Sequence, residues 1–290
     1  MSTRYTLLVN PAAASGRALK ALPAIRAEFD AQGADYRVVQ TASAGDTLYE
    51  ARAALDAGAT LVACGGDGLV GSLAGLVRGT DAQLGVIPCG RGNDLGRVLE
   101  IPTDPAAAAR VVLAGRSRRI DLPEVNGIPY VGIASLGFDS EANRIANEAK
   151  LVKGNLVYLY AALKALAGWE DARFVVTVDG QRHEATGSTV AVANNKAYGG
   201  GMFLVPHAEL DDGKLDVFWA DGQPKLKFLA HMPKVFKGTH VDDPGAHFLR
   251  GEVVEVSADR RFTVYADGDA VCDLPITVRI APRALGIIVP

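Results

Sequence analysis

Asp67 lies inside Cys64-Gly65-Gly66-Asp67-Gly68, between a run of apolar β-formers and a helix-favouring stretch. Glycines let a backbone approach a phosphate closely, and the amides at a helix start favour negative charge. A carboxylate in such a loop repels bare phosphate. The conflict disappears with Mg²⁺ between them, because both are hard oxygen ligands. The bland alternative is a tight strand-to-helix turn with an Asp cap. A second loop, Gly90-Arg91-Gly92-Asn93-Asp94, also follows a strand-like run. Arg91 could reach a phosphate or nucleotide there. Asn93 and Asp94 could cap the next helix, and Asp94 also suits an outer-shell metal partner. Further on, Asp267-Gly268-Asp269 offers carboxylates fit to accept a proton, or an ordinary Asp-Gly hairpin turn. Leu210-Asp211-Asp212-Gly213-Lys214-Leu215 is another acidic turn, either solvated or cation-binding.

Several familiar chemistries are missing. Gly66, Gly68 and Gly71 spell the dinucleotide pattern GxGxxG, but they follow the third strand rather than the first. The acidic ribose ligand that should end the next strand is replaced by Pro88-Cys89. GxxxxGK[ST], GxSxG and the protein-kinase motifs are absent. The three cysteines, Cys64, Cys89 and Cys272, form no pattern of disulfide or CxxC spacing, which points to a reducing compartment. The five histidines lack zinc-ligand spacing. A net charge of −3 gives no support to a sequence-independent nucleic-acid binder, which would need a basic surface. Met1 to Val9 runs straight into a strand rather than a signal peptide. The longest apolar stretch, Leu156 to Trp169, is broken by Lys164 and is too short to span a bilayer. The expectation is a soluble cytoplasmic protein that touches a membrane from one side at most.

These residues need elements to position them, and 290 residues provide enough chain for two domains. Strands are expected at Tyr5–Val9, Asp35–Gln40, Thr60–Cys64 and Leu84–Pro88. Helices between them are expected from Ser15-Gly16 to Phe29, from Ala44 to Ala57, and after the glycine loop to Val77. Such repetition predicts a parallel sheet that binds ligands beyond the carboxyl ends of its strands. Beyond about Asp121 the rhythm changes to short β runs at Tyr130–Ala134, Phe174–Val178, Thr189–Ala193, Lys214–Trp219, Glu252–Ser257 and Phe262–Ala266. Asp179-Gly180, Asp221-Gly222 and Asp267-Gly268 separate several of them, predicting a mostly antiparallel sandwich or barrel. Helical inserts are expected at Ser140–Trp169 and Lys225–Lys237. The second carries four lysines and no acid, and so suits either an anionic bilayer or a core-facing position with solvated lysines. The division falls at residues 1–121 and 122–290, with the last strand able to return to the first domain.

Taken in order, the motifs resemble the diacylglycerol kinase catalytic-domain family, which includes bacterial lipid kinases and sphingosine and ceramide kinases. The matching pieces are Asn10-Pro11 with Ser15-Gly16, Gly65–Gly68, Ile87–Leu95, Ser135-Leu136-Gly137-Phe138-Asp139, Gly199-Gly200-Gly201, Leu210–Leu215, Lys237-Gly238-Thr239-His240 and Asp267-Gly268-Asp269. The resemblance implies an N-terminal α/β domain like that of NAD kinases and phosphofructokinases, followed by a β-sandwich. It further implies that ATP lies on Asn10, Ser15, Thr41, Gly65, Gly66, Asp67, Gly68, Leu69, Gly90, Arg91, Gly92 and Asn93. Mg²⁺ would sit at Asp67, and a structural Mg²⁺ at Asp212 with carbonyls of Glu209 and Lys214. Asp269 takes the general-base position, with Asp267 beside it. Three departures stand out. Leu69-Val70-Gly71-Ser72 replaces a Thr-x-Asn-Glu pattern, Arg91 replaces Thr, and Asp269 replaces Glu.

The activity so implied is transfer of the ATP γ-phosphate to the hydroxyl of a diacylglycerol- or sphingoid-like lipid, in phospholipid metabolism at the inner membrane surface. Two alternatives remain at this stage. One is an NAD-kinase-type enzyme with a soluble acceptor, and the other is a catalytically weak nucleotide- or lipid-binding regulator. The sequence leaves a homodimer open.

Overall fold

The computed structural model describes residues 3–11, 16–149 and 156–290. The first domain alternates β1 (Arg4–Val9), α1 (Arg17–Ala31), β2 (Asp35–Gln40), α2 (Ala44–Asp56), β3 (Thr60–Gly65), α3 (Asp67–Val77) and β4 (Gln83–Pro88). β1 pairs in parallel with β2 and β3, and β3 with β4. β1, β3 and β4 are buried almost end to end because helices cover both faces. Short-range chemistry sets the helix ends. Ser43 accepts a hydrogen bond from the Asp46 amide at the start of α2. After the short α4 (Asp94–Val98), α5 (Pro105–Ala114) starts with the Asp104 carboxylate on the Ala107 amide and stops at Gly115 in the left-handed region.

The second domain begins with β5 (Ser117–Val125), β6 (Ile128–Pro129) and β7 (Ile133–Gly137). Two helices follow, α6 (Phe138–Glu148) and α7 (Leu156–Gly168). β8 (Ala172–Val178) and β9 (Gln181–Ala193) form a hairpin across Asp179-Gly180. Then come β10 (Leu215–Asp221), α8 (Lys225–Lys237), β11 (Ala246–Gly251), β12 (Val253–Ala258), β13 (Thr263–Ala266), β14 (Asp269–Asp273) and β15 (Ile276–Ile288). Pairing here is antiparallel, in the order β14-β13-β7-β9-β8-β12-β15, with β10 and β11 added beside β9. The architecture is the expected α/β domain followed by an antiparallel sandwich.

β15 joins the two halves. Its start pairs with β12 and its end pairs in parallel with β4, so the sheets are continuous. The register breaks between Ala281 and Leu285, where Arg283 has φ 51°. Asp121 is fully buried at that break and accepts the Arg283 amide at 2.6 Å and the Gly213 amide at 2.7 Å. Leu285, Ile287 and Ile288 are buried in the core of the first domain, and Val278 and Ile276 in that of the second. Several sequence-based boundaries change, and the strand expected at Thr189–Ala193 already begins at Gln181. The strand expected at Tyr130–Ala134 begins only at Ile133, and the helical insert expected at Ser140–Trp169 contains α7 and most of α6. α8 runs through Pro233 and buries no residue fully, although Phe228 and Leu229 pack against the cluster around Phe138.

Candidate functional site

The two glycine loops meet backbone to backbone. A Cβ on Gly66 would stand 3.1 Å from the Cα of Gly90, so neither position has room for a side chain. Cys89 donates its amide to Gly65, continuing the β3–β4 pairing into the loops. Asn93, with φ 52°, holds its loop by accepting the Gly90 amide at 2.7 Å. Asp67 then fastens one loop to the other: its carboxylate accepts the amides of Asn93 and Asp94, each at 2.8 Å. Asp94 in turn accepts the Gly200 amide at 3.1 Å, which brings the Gly199–Gly201 turn of the second domain onto the first.

Asp267 anchors the opposite wall. Its carboxylate accepts the amides of Val131, Gly132 and Ile133 at 2.7, 2.8 and 3.2 Å. Those donors explain why Tyr130–Gly132 does not extend β7. Asp269 is placed differently. Its side chain reaches over α3, where a Cβ on Gly68 would stand 2.8 Å from Oδ2, and no donor among the described residues engages it.

A cavity of 120 Å³ opens between these walls, lined by Asp67, Asp94, Asp267, Asn143, Asn195 and Tyr198 among others. Among the described residues no lysine, arginine or histidine lines it. Its carboxyls are correspondingly pushed up. Burial raises Asp67 against the pull of its amide donors. Burial and the nearby Asp67 charge raise Asp94 to about 6. Burial, against its amide donors and reinforced by Asp67, raises Asp267 to about 7. Beneath the cavity, burial raises Asp139 to about 6, while Thr189 and Tyr198 donate to it at 3.1 and 3.3 Å. Asn143 donates to the Tyr198 hydroxyl at 2.9 Å. Among the described residues no group of three or more His, Cys, Asp or Glu side chains is disposed to hold a metal ion by itself. Asp67 and Asp94 are the carboxylates beside the two glycine loops, and both accept backbone amides there.

Other expected site residues fall in varied places. Asn10 directly follows β1, and Ser15 lies outside the described residues. Thr41 is buried, and its hydroxyl is engaged by the Thr47 hydroxyl at 2.8 Å. Leu69 packs beneath Gly65, where a Cβ would meet its Cδ2 at 2.7 Å. Arg91 is exposed and makes no ion pair among the described residues, whereas Arg17 donates to the Gly90 carbonyl at 2.8 Å.

The acidic turn at Asp212 is far from this chemistry in kind. Arg250 contacts the Asp212 carboxylate and lies 3.1 Å from that of the fully buried Asp216, while the Lys214 amide takes the second Asp212 oxygen at 3.0 Å. Both Asp212 oxygens thus have protein donors, and a single guanidinium serves both carboxylates. Asn143, Asn195, Tyr198 and Asp139 escaped the sequence reading as individuals. The only signal for Tyr198 and Asn195 was their closeness to Gly199-Gly200-Gly201.

The comparisons agree with this fold. Residues 4–125 match the diacylglycerol kinase catalytic domain, and residues 132–289 match the YegS C-terminal NAD kinase beta sandwich-like domain. A Mycobacterium tuberculosis protein named diacylglycerol kinase is 35% identical over 295 residues, covering 99% of this chain and 95% of that one. A YegS-like lipid kinase of Pseudomonas aeruginosa is 33% identical over 276 residues, covering 92% and 89%. Among solved structures, a diacylglycerol kinase from Bacillus anthracis shares the fold with a TM-score of 0.75 at 21% identity, over 99% of this chain and 97% of the other.

Proposed function

The chain belongs to the diacylglycerol kinase catalytic-domain family of lipid kinases, and from that premise we propose that it transfers the γ-phosphoryl group of ATP to a hydroxyl of a diacylglycerol- or sphingoid-like lipid. One observation carries the reading: the unengaged Asp269 carboxylate lies against Gly68, at the start of the helix that the phosphate-type loop opens. A proton acceptor has to stand where the phosphoryl group is transferred, and a carboxylate held over this loop supports that role for Asp269.

The residues divide the work. Gly65, Gly66, Gly68, Gly90, Gly92 and Asn93 form a close-approach cradle for the nucleotide phosphates, with Asn10, Thr41, Leu69 and Arg91 around it. Mg²⁺ at Asp67 and Asp94 would neutralise phosphate charge in a transfer that is mostly positioning. Asp267 has its oxygens on three backbone amides, so it fixes the loop that carries Asp269. Asp269 accepts the proton of the lipid hydroxyl and returns it to solvent, to which it is open.

A lipid acceptor is supported by a second cavity of 260 Å³, in which Phe138, Leu166, Trp169 and Phe228 give an apolar wall alongside Asp171, Ser188, Gln223 and Lys225. Beside it, α8 leaves Leu226 83% and Phe236 51% exposed among its lysines. Apolar tips within a basic helix suit the surface of an anionic bilayer, so the lipid is taken from the cytoplasmic face of a membrane by a peripheral enzyme. No helix among the described residues is long and apolar enough to cross one. The test is transfer of label from γ-labelled ATP to diacylglycerol and to sphingosine in mixed micelles. Label on lipid, lost in Asp269→Asn, is the expected result. Nucleotide binding without any labelled lipid would favour the regulator instead.

A further inference from the structure

Asn195 is fully buried, and its Nδ2 has no hydrogen-bond partner. The orientation of its amide is not arbitrary. The Ala197 backbone N–H donates to Oδ1 at 2.9 Å, so the oxygen faces the chain and the NH₂ faces the other way. Asn195 lines the acidic cavity together with Asp67, Asp94 and Asp267. A Cβ built on Gly132 would stand 2.6 Å from Asp267 Oδ1 and 3.3 Å from Asn195 Nδ2, which puts the two groups side by side. Nδ2 makes no bond to Asp267, whose oxygens take the amides of Val131, Gly132 and Ile133.

Leaving a buried donor unpaired is unfavourable, and folded proteins keep such groups where a ligand or water completes them. The ligand must supply an acceptor oxygen, and it must enter a cavity where acidic side chains repel bare anions. A phosphoryl group arriving with a divalent cation meets both conditions. Its charge spreads over three equatorial oxygens during transfer, and a preorganised neutral donor is worth most where that charge develops.

We propose that Asn195 Nδ2 donates a hydrogen bond to an equatorial oxygen of the phosphoryl group in transit. This assignment rests on the kinase reading, but its test need not. The Asn195→Asp variant keeps the shape and the acceptor for Ala197 and removes the donor. Asn195→Ser is the neutral companion, with a shorter donor. Binding of Mg²⁺–ADP–vanadate, a mimic of the transferring group, is measured against binding of Mg²⁺–ADP by calorimetry. In Asn195→Asp the mimic should bind about tenfold more weakly or worse, with ADP affinity changed less than about threefold and Asn195→Ser falling between. Where lipid phosphorylation is detected, kcat should fall about 10²-fold while KM for ATP stays near wild type. The proposal is overturned if both variants bind the mimic as wild type does. It is equally overturned if mimic and ADP weaken together with a lowered Tm, the signature of a structural or water-satisfied amide. Failure of the wild type to phosphorylate any lipid would count against the kinase reading and leave the binding comparison to decide the role of Asn195.

Discussion

Asp269 and Gly68 meet across the cleft, with the carboxylate oxygen 2.8 Å from the point where a Cβ on Gly68 would stand. The first domain therefore leaves, by the absence of one methyl group, the space that a side chain of the second domain fills.

Gly68→Ala should separate activity from stability. The new methyl displaces the Asp269 carboxylate, so kcat should drop about tenfold or more, since transfer is sensitive to shifts of about 1 Å. Alanine is the better helix former by about 1 kcal/mol, and α3 begins at Asp67, so Tm should hold or rise. A variant with wild-type kcat would remove the carboxylate from the mechanism.

The two aspartates of the β13–β14 turn should fail differently. Asp269→Asn should lower kcat by about 10²-fold with Tm and ATP affinity kept. Asp267→Asn removes an acceptor from among three backbone amides and sets an NH₂ against them. It should lower Tm by several degrees, following an unfolding cost of about 1–3 kcal/mol. Thermal melts and steady-state kinetics on the pair check this, and equal melting temperatures would contradict the anchoring role.

The acidic cavity makes stability depend on pH. Asp94 and Asp139 titrate at about 6 and Asp267 at about 7 in the folded chain, against about 4 when unfolded. The folded state therefore holds protons that the unfolded state has released. Their contribution is complete below about pH 4 and is lost as pH rises through 6 to 7. In the absence of metal, Asp94→Asn should show a smaller decline in Tm between pH 5 and about 7.5 than wild type. His240 works the other way, because burial lowers its pKa, but it is common to both proteins and cancels. Mg²⁺ should lessen the wild-type decline. Identical curves would show that Asp94 is ionised throughout.

Arg250 gives a prediction about metal removal. Since its guanidinium matches Asp212 and Asp216, EDTA should leave the wild-type Tm within about 1 °C. Arg250→Met should melt about 5 °C lower or more, by leaving buried carboxylate charge unmatched. A wild-type Tm that falls in EDTA, and does so equally in Asp67→Asn, would place a cation at the acidic turn after all.

Charge on α8 tests membrane contact. Leu226→Glu and Phe236→Glu alter exposed positions and should leave Tm unchanged. Sedimentation with anionic vesicles should fall severalfold, since each change removes apolar contact and adds repulsion. Undiminished vesicle binding would assign the membrane face elsewhere.

The sequence showed what is local. β2 has the expected bounds, because polar residues and a Gly-Ala turn flank its β-formers, and α8 begins and ends at its expected lysines. Gly66 and Gly90 were legible as close-approach glycines, though not as each other's neighbours. What stayed hidden depends on distant partners. Tyr130–Gly132 reads as strand and is drawn out of it by Asp267, more than a hundred residues away. The Asp67 carboxylate reads as free for metal, but the Asn93 and Asp94 amides already claim part of it. Asp67→Asn is therefore expected to cost stability as well as turnover. Arg250 gave no sign of its pairing, because nothing in the spacing of residues 212, 216 and 250 reveals that β10 and β11 are neighbours.

β15 also bears on the order in which this chain can be assembled. The segment Ile276–Ile288 supplies the strand beside β4 and buries Leu285, Ile287 and Ile288 in the core of the first domain. Synthesis runs from the N-terminus, so residues 4–114 emerge long before their last strand exists. Until then β4 is an open edge and its core lacks a wall, which is a template for pairing with other chains. The nucleotide-side domain is the first to be made and the last to be closed, and its completion waits for the sandwich to be threaded through.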